Sequence, residues 1–434
     1  MTFEKSGFKE TEIGEFPKEW QVKPVKDFCS KITSGGTPSR ANPEYWNKGQ
    51  IPWLKTQELQ DNIIYCSEEY ITQKGLENSS AKLFPPDTVL MAMYGATVGK
   101  LGILKIQATT NQAFCAMIVN NVNDYHFLFY ALLYRRSDLI NLACGAAQQN
   151  LNQDIIKEFL LPSPNLKEQK AIGKILSDID AKIELSKRMN ENLEAIGQTL
   201  FKRWFVDFEF PNQGKPYKST GGKMKSTDFG EIPEGWSIKP FSEVIAVNPA
   251  RKIEKSAVSK KVEMADLTPW QTWIESCAFD KCKSGSRFQN GDTLLARITP
   301  CLENGKTGFV SFLNKNEIAF GSTEFIVLGP KTIQSSYFIL YLAISNNLRA
   351  SAIQSMTGSS GRQRVPNDFF DDFTVAVPPS DLLSEFDSLV APMFAKITNN
   401  VEKSGYLGEI RDLLLPKLMS GKIRVPIENE VELS

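Results

Sequence analysis

The chain has 434 residues, which is enough for two or three domains with cores of their own. Hydrophobic residues make up 41% and charged residues 23%, a balance typical of folded globular proteins and not of disordered ones. The start, Met1 to Lys5, carries charge where a secretory leader needs apolar residues, and apolar runs such as 338–344 are too short to cross a bilayer. The sequence therefore predicts a cytoplasmic protein that makes no contact with a membrane.

Charge and metal-binding residue types narrow the function classes. Fifty basic and fifty acidic residues cancel, so the net charge neither favours nor excludes a nucleic acid as partner. The seven cysteines are an odd number spread along the chain, as is typical of reduced thiols, and Cys277 and Cys282 lack the spacing of a zinc knuckle. His126 is the only histidine, which restricts histidine-assisted catalysis to one position. We expect no metal site.

In chain order, the first segment is 1–165, which is rich in glycine, proline, threonine and aromatic residues. It contains an irregular loop at 34–40, a short β-like run at 88–93 and one helix-like stretch, 125–142. This mixture predicts an α+β globule with long loops.

A long helix is predicted next, over 166–204. Asn165, with Glu168 three residues later, has the pattern of a helix-capping box. Apolar residues then recur every three or four positions. At about 1.5 Å per residue, such a helix is roughly 58 Å long.

The second half of the chain repeats the first. Residues 11–24 return 216 positions later as 227–240, and half of the fourteen positions are identical. Another helical pattern follows at 382–418. Its apolar residues match those of the first long helix at an offset of 214, in the pairs Leu193 and Leu407, Ile196 and Ile410, and Leu200 and Leu414.

Two narrow apolar seams of matched length predict that the long helices pair antiparallel as a coiled coil. For one seam alone, a core-facing helix of an ordinary domain is the alternative. Pro392 argues against an unbroken second helix, because a proline inside a helix destabilises it by about 3 kcal/mol unless a kink absorbs the strain. The predicted fold class is α+β, with two tandem pseudo-repeat globular domains separated and closed by two long antiparallel coiled-coil helices. The predicted boundaries are 1–165 and 211–380 for the globular domains and 166–210 and 381–434 for the helices.

The motifs of several enzyme classes are missing from the sequence. Asn42-Pro43-Glu44-Tyr45 lacks the second proline of the catalytic loop of adenine methyltransferases. Gly305-Lys306-Thr307 matches the end of a phosphate-binding loop, but Pro300 stands where the first glycine belongs, which favours a plain turn. Binding without catalysis is the simplest interpretation. An enzyme that acts without a recognised motif remains the alternative.

Several strings resemble, in order, the specificity subunit of type I restriction-modification systems, and the resemblance covers nearly the whole chain. In the first half they are Thr33-Ser34-Gly35-Gly36-Thr37-Pro38-Ser39 and Tyr94-Gly95-Ala96-Thr97-Val98-Gly99-Lys100. The long helices end in Leu200-Phe201-Lys202-Arg203-Trp204-Phe205 and Leu413-Leu414-Leu415-Pro416-Lys417-Leu418. Each half also opens with Gly-Glu-(Phe/Ile)-Pro-x-x-Trp.

The resemblance implies that each globule is a target recognition domain reading one half of a split, asymmetric site in double-stranded DNA. The paired helices would set the distance between the half-sites and dock two methylation subunits, and the complex would recruit restriction subunits. The chain itself would be non-catalytic and bind no cofactor, because S-adenosylmethionine, ATP and magnesium belong to the partner subunits. A coiled-coil scaffold with two protein-binding domains is the competing hypothesis.

Candidate contact residues come from the loops of both globules and from the helix ends. Arginine and lysine pair with guanine, glutamine and asparagine with adenine, and hydroxyl groups with phosphate. The candidates for DNA contact are Thr37, Ser39, Arg40, Thr97, Lys100, Gln148, Gln149, Asn150, Arg297, Lys306, Arg362, Gln363 and Arg364. The candidates for partner contact are Phe201, Trp204, Phe205, Leu414 and Leu418, with packing inside the chain itself as the alternative.

Overall fold

A computed structural model of the chain describes residues 7–144, 150–228, 230–254, 257–282, 284–359 and 361–426. The chain forms two compact units, Met1–Lys182 with Leu407–Ser434, and Ile183–Tyr406. Each unit mixes helices and strands, which confirms the α+β composition. Nowhere in these ranges is there a helix with the length and hydropathy needed to span a membrane.

The globular part of the first unit is a succession of short strands and helices. They are β1 (Phe8–Thr11), β2 (Gly14–Pro17), β3 (Gln21–Pro24), α1 (Val25–Phe28), β4 (Cys29–Thr33), β5 (Ile51–Leu54), β6 (Asn62–Ile64), β7 (Glu69–Ile71), α2 (Gln73–Glu77), β8 (Val89–Ala92), β9 (Leu101–Leu104), β10 (Thr109–Thr110), β11 (Phe114–Val119), α3 (Tyr125–Tyr134), α4 (Arg136–Cys144), α5 (Gln153–Glu158) and β12 (Leu160–Ser163).

The main sheet of this unit has the strand order β4-β11-β8-β9-β6, in which only β9 and β6 run parallel. A smaller sheet, β10-β5-β7, and the antiparallel pairs β1-β2 and β12-β3 complete it. The central strands consist of apolar residues, as expected for a sheet whose two faces are both covered by other parts of the protein. Val89 and Met91 of β8 pack into one core cluster, and Leu90 and Ala92 into another.

The globular part of the second unit has a similar composition. Its elements are β13 (Pro211–Asn212), β14 (Lys215–Pro216), β15 (Met224–Thr227), β16 (Gly230–Pro233), β17 (Ser237–Pro240), α7 (Phe241–Val244), β18 (Ile245–Val247), β19 (Val258–Val262), β20 (Ala278–Lys281), β21 (Ser286–Phe288), β22 (Thr293–Ala296), β23 (Thr307–Phe309), β24 (Ala319–Gly321), β25 (Phe325–Pro330), α8 (Ser336–Ile344), α9 (Asn346–Gln354), α10 (Phe369–Asp372) and β26 (Thr374–Val377).

Two four-stranded sheets, β18-β25-β22-β23 and β20-β19-β24-β21, form the centre of this unit. The first is antiparallel throughout, and it too is covered on both faces. Leu295 and Ile326 lie in one core cluster, whereas Leu294 and Val327 lie in the other. The pairs β13-β14, β15-β16 and β17-β26 are antiparallel hairpins or ribbons.

The two long helices, α6 (Leu166–Phe201) and α11 (Ser380–Met419), pack together within each unit. In the first unit Arg411 donates to Asp180 over 2.8 Å, and in the second the Asn400 side chain donates to Asn190 over 2.8 Å. The α11 helix continues through Pro392, and α6 is followed by one π-helical turn, Lys202–Val206.

Candidate nucleic-acid interface

The loop after β4 is held by close backbone contacts. Gly36 donates its N–H to the carbonyl of Thr110 over 2.8 Å, and its carbonyl accepts the indole N–H of Trp53 over 3.0 Å. A Cβ on Gly36 would lie 2.2 Å from the Ser80 hydroxyl oxygen, so only glycine fits. Thr37 follows and donates its hydroxyl to Gln112 over 2.7 Å.

Arg40, at the end of this loop, is restrained by aromatic rings and an acid. Its guanidinium carbon lies 3.6 Å from the centre of the Trp46 ring, and its Nη1 is 2.6 Å from Glu69 Oε2. The hydrogen bond from Arg40 lowers the pKa of Glu69, so the pair is charged at neutral pH. Ser39 is exposed and accepts the Trp46 indole N–H through its carbonyl. About half of the Arg40 side chain remains accessible, 52%.

Lys100, after the turn between β8 and β9, belongs to a three-member charge cluster. It donates to Asp61 over 3.0 Å, and Arg136 donates to both oxygens of the same carboxylate. Burial acts to raise the pKa of Asp61, but the hydrogen bonds from Arg136, the Leu101 N–H and Lys100 lower it overall. The cluster therefore carries one net positive charge. Thr97 lies half-buried in the adjoining turn.

Hydrogen bonds bring four segments of the first unit to one edge. Met93, directly after β8, donates its N–H to Ala113 and accepts one from Leu151 through its carbonyl. Gln153 donates its amide to the Ser34 hydroxyl. Ser34 and Thr37 therefore lie beside the chain around 111–113 and 150–153. Asn150 is exposed at this edge, whereas Gln148 and Gln149 lie outside the described residues.

The second unit has a corresponding edge after β22. Arg297 donates its N–H to the carbonyl of Glu324 over 3.0 Å, and its carbonyl accepts the N–H of Val365 over 2.9 Å. Its Nη2 also donates to the Val365 carbonyl, over 2.7 Å. Thr299 donates its N–H to Gln363 over 3.0 Å, so the loops that hold Arg297 and Gln363 lie together.

The basic residues of this edge differ in how far contacts inside the chain neutralise their charge. Arg364 makes a bidentate ion pair with Glu324 at 2.7 to 3.1 Å, which lowers the pKa of that acid. Lys306 donates to the carbonyl of Met264 over 2.7 Å, which leaves its charge uncompensated by that contact. Arg362 is exposed on the neighbouring turn. Arg362 and Lys306 are thus available to an anionic partner, whereas Arg364 would have to share its charge with Glu324.

One exposed aromatic residue beside this edge was not a candidate. Trp270 is 64% exposed, has a φ of 63° and packs against Gly305, where a Cβ would come within 2.7 Å of the ring. The guanidinium of the buried Arg349 lies 4.7 Å from the ring centre. The proline and tryptophan of Thr268-Pro269-Trp270 signal a turn in the sequence, but nothing local indicates the cation beneath the ring.

Four of the five candidates for partner contact are buried inside the chain. Phe201, Trp204 and Phe205 are 6%, 3% and 7% exposed in the core of the second unit. Leu418 is 1% exposed in the core of the first, and Leu414 packs against that core. This is the internal packing that the sequence left open as the alternative. A role of these five residues toward another subunit stays a prediction.

The chain is similar to known proteins in sequence and in fold. Residues 17–195 match the type I restriction modification DNA specificity domain. Along 437 aligned residues the chain is 31% identical to the type I restriction enzyme MjaIX specificity subunit of Methanocaldococcus jannaschii, covering 96% of both chains. It is 29% identical over 178 residues to the EcoR124I/EcoR124II specificity subunit of Escherichia coli, which is 40% of this chain and 42% of that one.

A similar fold is found in the S subunit of a type I restriction-modification system from M. genitalium. The two structures align with a TM-score of 0.56 and 14% identity, over 92% of this chain and 96% of that one. At this level of identity the similarity concerns the fold.

Proposed function

The chain belongs to the specificity subunits of type I restriction enzymes, and we propose that it is the DNA-reading, non-catalytic subunit of such a complex. The observation that carries this function is the 31% identity to the MjaIX specificity subunit over 96% of both chains. Methyl transfer and DNA cleavage then belong to partner subunits, which bring S-adenosylmethionine, ATP and magnesium. The complex acts in the cytoplasm, where it meets DNA.

We further propose that the chain holds two tandem recognition domains, each reading one half of an asymmetric bipartite site. Matching backbone contacts at the two edges support this. Met93 and Arg297 each follow a central strand, and each accepts an N–H, from Leu151 and Val365 respectively. The hairpins β1-β2 and β15-β16 also share their register at an offset of 216. The two edges present different side chains, as two unlike half-sites require.

The long helices are proposed to fix the distance between the half-sites. Their contacts in each unit run in opposite chain directions, since Asn190 meets Asn400 and Phe201 meets Phe386 in the second. In the first, Asp180 meets Arg411, and Ile172 packs in the same cluster as Leu418. A pair of antiparallel helices has the stiffness that a ruler needs, and half-site spacing follows protein geometry.

Two methylation subunits are proposed to dock on the helices, and restriction subunits to join through the resulting complex. Exposed apolar side chains on α6 offer a surface for this, at Leu185, Met189 and Ile196. On α11 the exposed apolar side chains include Ile410 and Leu413. These five residues are better placed for a partner than the buried aromatic residues at the end of α6.

Domain exchange tests the function against the protein-binding scaffold. Replacing residues 1–165 with the corresponding segment of another specificity subunit should change one half of the methylated site and leave the other half intact. Deleting one helical turn from both long helices should change only the spacer between the halves. A complex that methylates the original site after either change would refute the assignment of reading and spacing to these parts. Absence of any sequence preference would favour the scaffold.

A further inference from the structure

A cavity of about 400 Å³ opens in the second unit, and its wall contains none of the candidate residues for DNA contact. Its wall includes Asn248, Arg251, Arg287 and Thr323. A volume of this size accommodates a phosphate group with a neighbouring sugar. Two guanidinium groups on one small cavity indicate an anionic occupant, and their surroundings show how much of that charge is free.

The charge of Arg251 is compensated inside the protein. Its side chain is 10% exposed, and its Nη2 donates to Asp292 Oδ1 over 2.6 Å. Burial raises the pKa of Asp292 to about 6, which is still below neutral pH, so the carboxylate is charged. Its other oxygen accepts the N–H of Gln289 over 2.7 Å. Arg251 is therefore a fixed wall of the cavity, although its buried Nη1 has no hydrogen-bond partner among the described residues.

The charge of Arg287 is not compensated in this way. Its Nη1 donates to the carbonyl of Arg251 over 3.0 Å, and its Nε is buried without a hydrogen-bond partner in the part of the chain that the structure describes. Within that same part, no ion pair joins Arg287 to a carboxylate. One donor atom of each guanidinium, Nη1 of Arg251 and Nε of Arg287, is thus unpaired among the described residues, and the uncompensated charge of Arg287 favours an anion from outside the chain.

The cavity and the proposed reading edge of the second unit share one segment of the chain. Thr323 in its wall directly precedes Glu324. Glu324 holds the guanidinium of Arg364, and its carbonyl accepts the N–H of Arg297. A duplex lying on this edge would therefore come near Thr323 in the wall of the cavity. This proximity favours DNA over a free metabolite as the source of the anion.

We propose that the cavity binds a backbone phosphate of the DNA, with Arg287 as the charged donor and Arg251 as its support. The inference rests on the proposed DNA-reading function and adds a site to it. A guanidinium fork suits phosphate oxygens, and the exposed Thr323 hydroxyl adds a donor at the rim. A phosphate contact fixes the register of the protein on the duplex and carries no base information. Arg287 is thus a positioning residue.

The test uses the full chain co-purified with its methylation subunits and two labelled duplexes, one with the recognised site and one scrambled. Arg287→Gln should weaken binding to both duplexes alike, by about tenfold at roughly 0.1 M salt. The slope of log affinity against log salt should become shallower by about 0.9, the value for one lost phosphate contact. Lys239→Gln is the matched control, because Lys239 is an exposed cation on β17 outside the cavity wall, and it should change neither quantity.

A second variant tests the same site in case Arg287→Gln disturbs the folding of the region around it. Thr323→Glu places a carboxylate at the exposed rim without removing a guanidinium contact, and it should weaken both duplexes at least tenfold. Unchanged affinity and salt slope in folded Arg287→Gln and in Thr323→Glu would overturn the proposal. Tight binding of inorganic phosphate, lost in Arg287→Gln while duplex affinity stays unchanged, would assign the cavity to a small anion and also overturn it. If the unmodified complex fails to prefer the recognised duplex, the proposed function itself fails.

Discussion

The buried amide pair between the long helices gives the sharpest energetic prediction. Asn190 and Asn400 are 2% and 4% exposed, and their side chains share a hydrogen bond of 2.8 Å. Asn400→Leu leaves the Asn190 amide buried without this partner, which costs about 1–3 kcal/mol. Replacing both residues by leucine removes the unsatisfied group and adds two buried apolar side chains, each worth roughly 1.5–3 kcal/mol. The double variant should therefore be at least as stable as the natural chain, although each single variant is less stable.

Urea denaturation of the natural chain, both single variants and the double variant completes a mutant cycle. Asn192→Leu is the control, because it makes the same chemical change at an exposed position of α6. A buried polar pair also fixes the register of paired helices, so methylation by the double variant should extend to sites with more than one spacer length. Additive losses in the cycle would refute the reasoning about energy. A stable double variant with one unchanged spacer would refute the reasoning about register.

Two further predictions concern titration and close packing. Burial raises the pKa of Glu194 above 4.5. The folded chain therefore binds more protons at this residue than the unfolded chain. The stability that Glu194 contributes falls as the pH rises from 4.5 through the folded pKa. Glu194→Gln should consequently gain stability over the natural chain between pH 5 and 8 in urea denaturation, whereas the exposed Glu191→Gln should show no such gain. Gly36→Ala should lose about 1–3 kcal/mol or more, because its Cβ would lie 2.2 Å from the Ser80 hydroxyl oxygen. Gly408→Ala, whose Cβ meets nothing within 4 Å in α11, should instead gain about 0.5–1 kcal/mol, and equal effects would show that close packing does not decide the result.

The long helices could be predicted because their apolar spacing is a local property of the sequence. The predicted spans of 166–204 and 382–418 correspond to α6 with its π-helical turn and to α11. The predicted helix-like stretch 125–142 is instead two helices, α3 and α4, and the similar apolar stretch 337–353 also forms two, α8 and α9. The apolar pattern runs through Ser345, but its side chain accepts the N–H of Leu348 over 3.3 Å and starts a new helix. The sequence does not reveal such a cap, because the apolar residues on both sides of it pack in the core.

The helix start at Asn165 shows that a local sequence pattern can predict a cap without predicting the partners of each side chain. Its amide oxygen accepts the N–H of Glu168 over 3.0 Å, as the cap predicts. The Glu168 carboxylate, which the capping box would direct back to Asn165, accepts the indole N–H of Trp20 over 3.0 Å. It also pairs with Arg424 over 2.9 Å. These partners lie 148 and 256 residues away, where no local pattern could identify them.

The sequence indicates the loops of the candidate site, but it does not indicate which of their basic residues are paired with acids inside the chain. Lys100 and Arg364 stand out in the sequence as basic residues in irregular segments. Their counter-ions, Asp61 and Glu324, are 39 and 40 residues away and meet them only through the fold. The sequence therefore indicates where cations are concentrated, and the folded chain decides which of them are left for a partner. Arg287 was missed because a single arginine in a β-strand carries no signal.

The most direct test is the pattern of DNA methylation in the source cells with and without this gene, determined by single-molecule sequencing. We expect an interrupted, asymmetric motif with N6-methyladenine on both strands, present with the gene and lost after its deletion. Restoring the gene with residues 1–165 exchanged should return a motif with only one half changed. A methylation pattern that is identical with and without the gene, in cells whose methylation subunits are shown to be active, would contradict the assignment of this chain as the subunit that reads DNA.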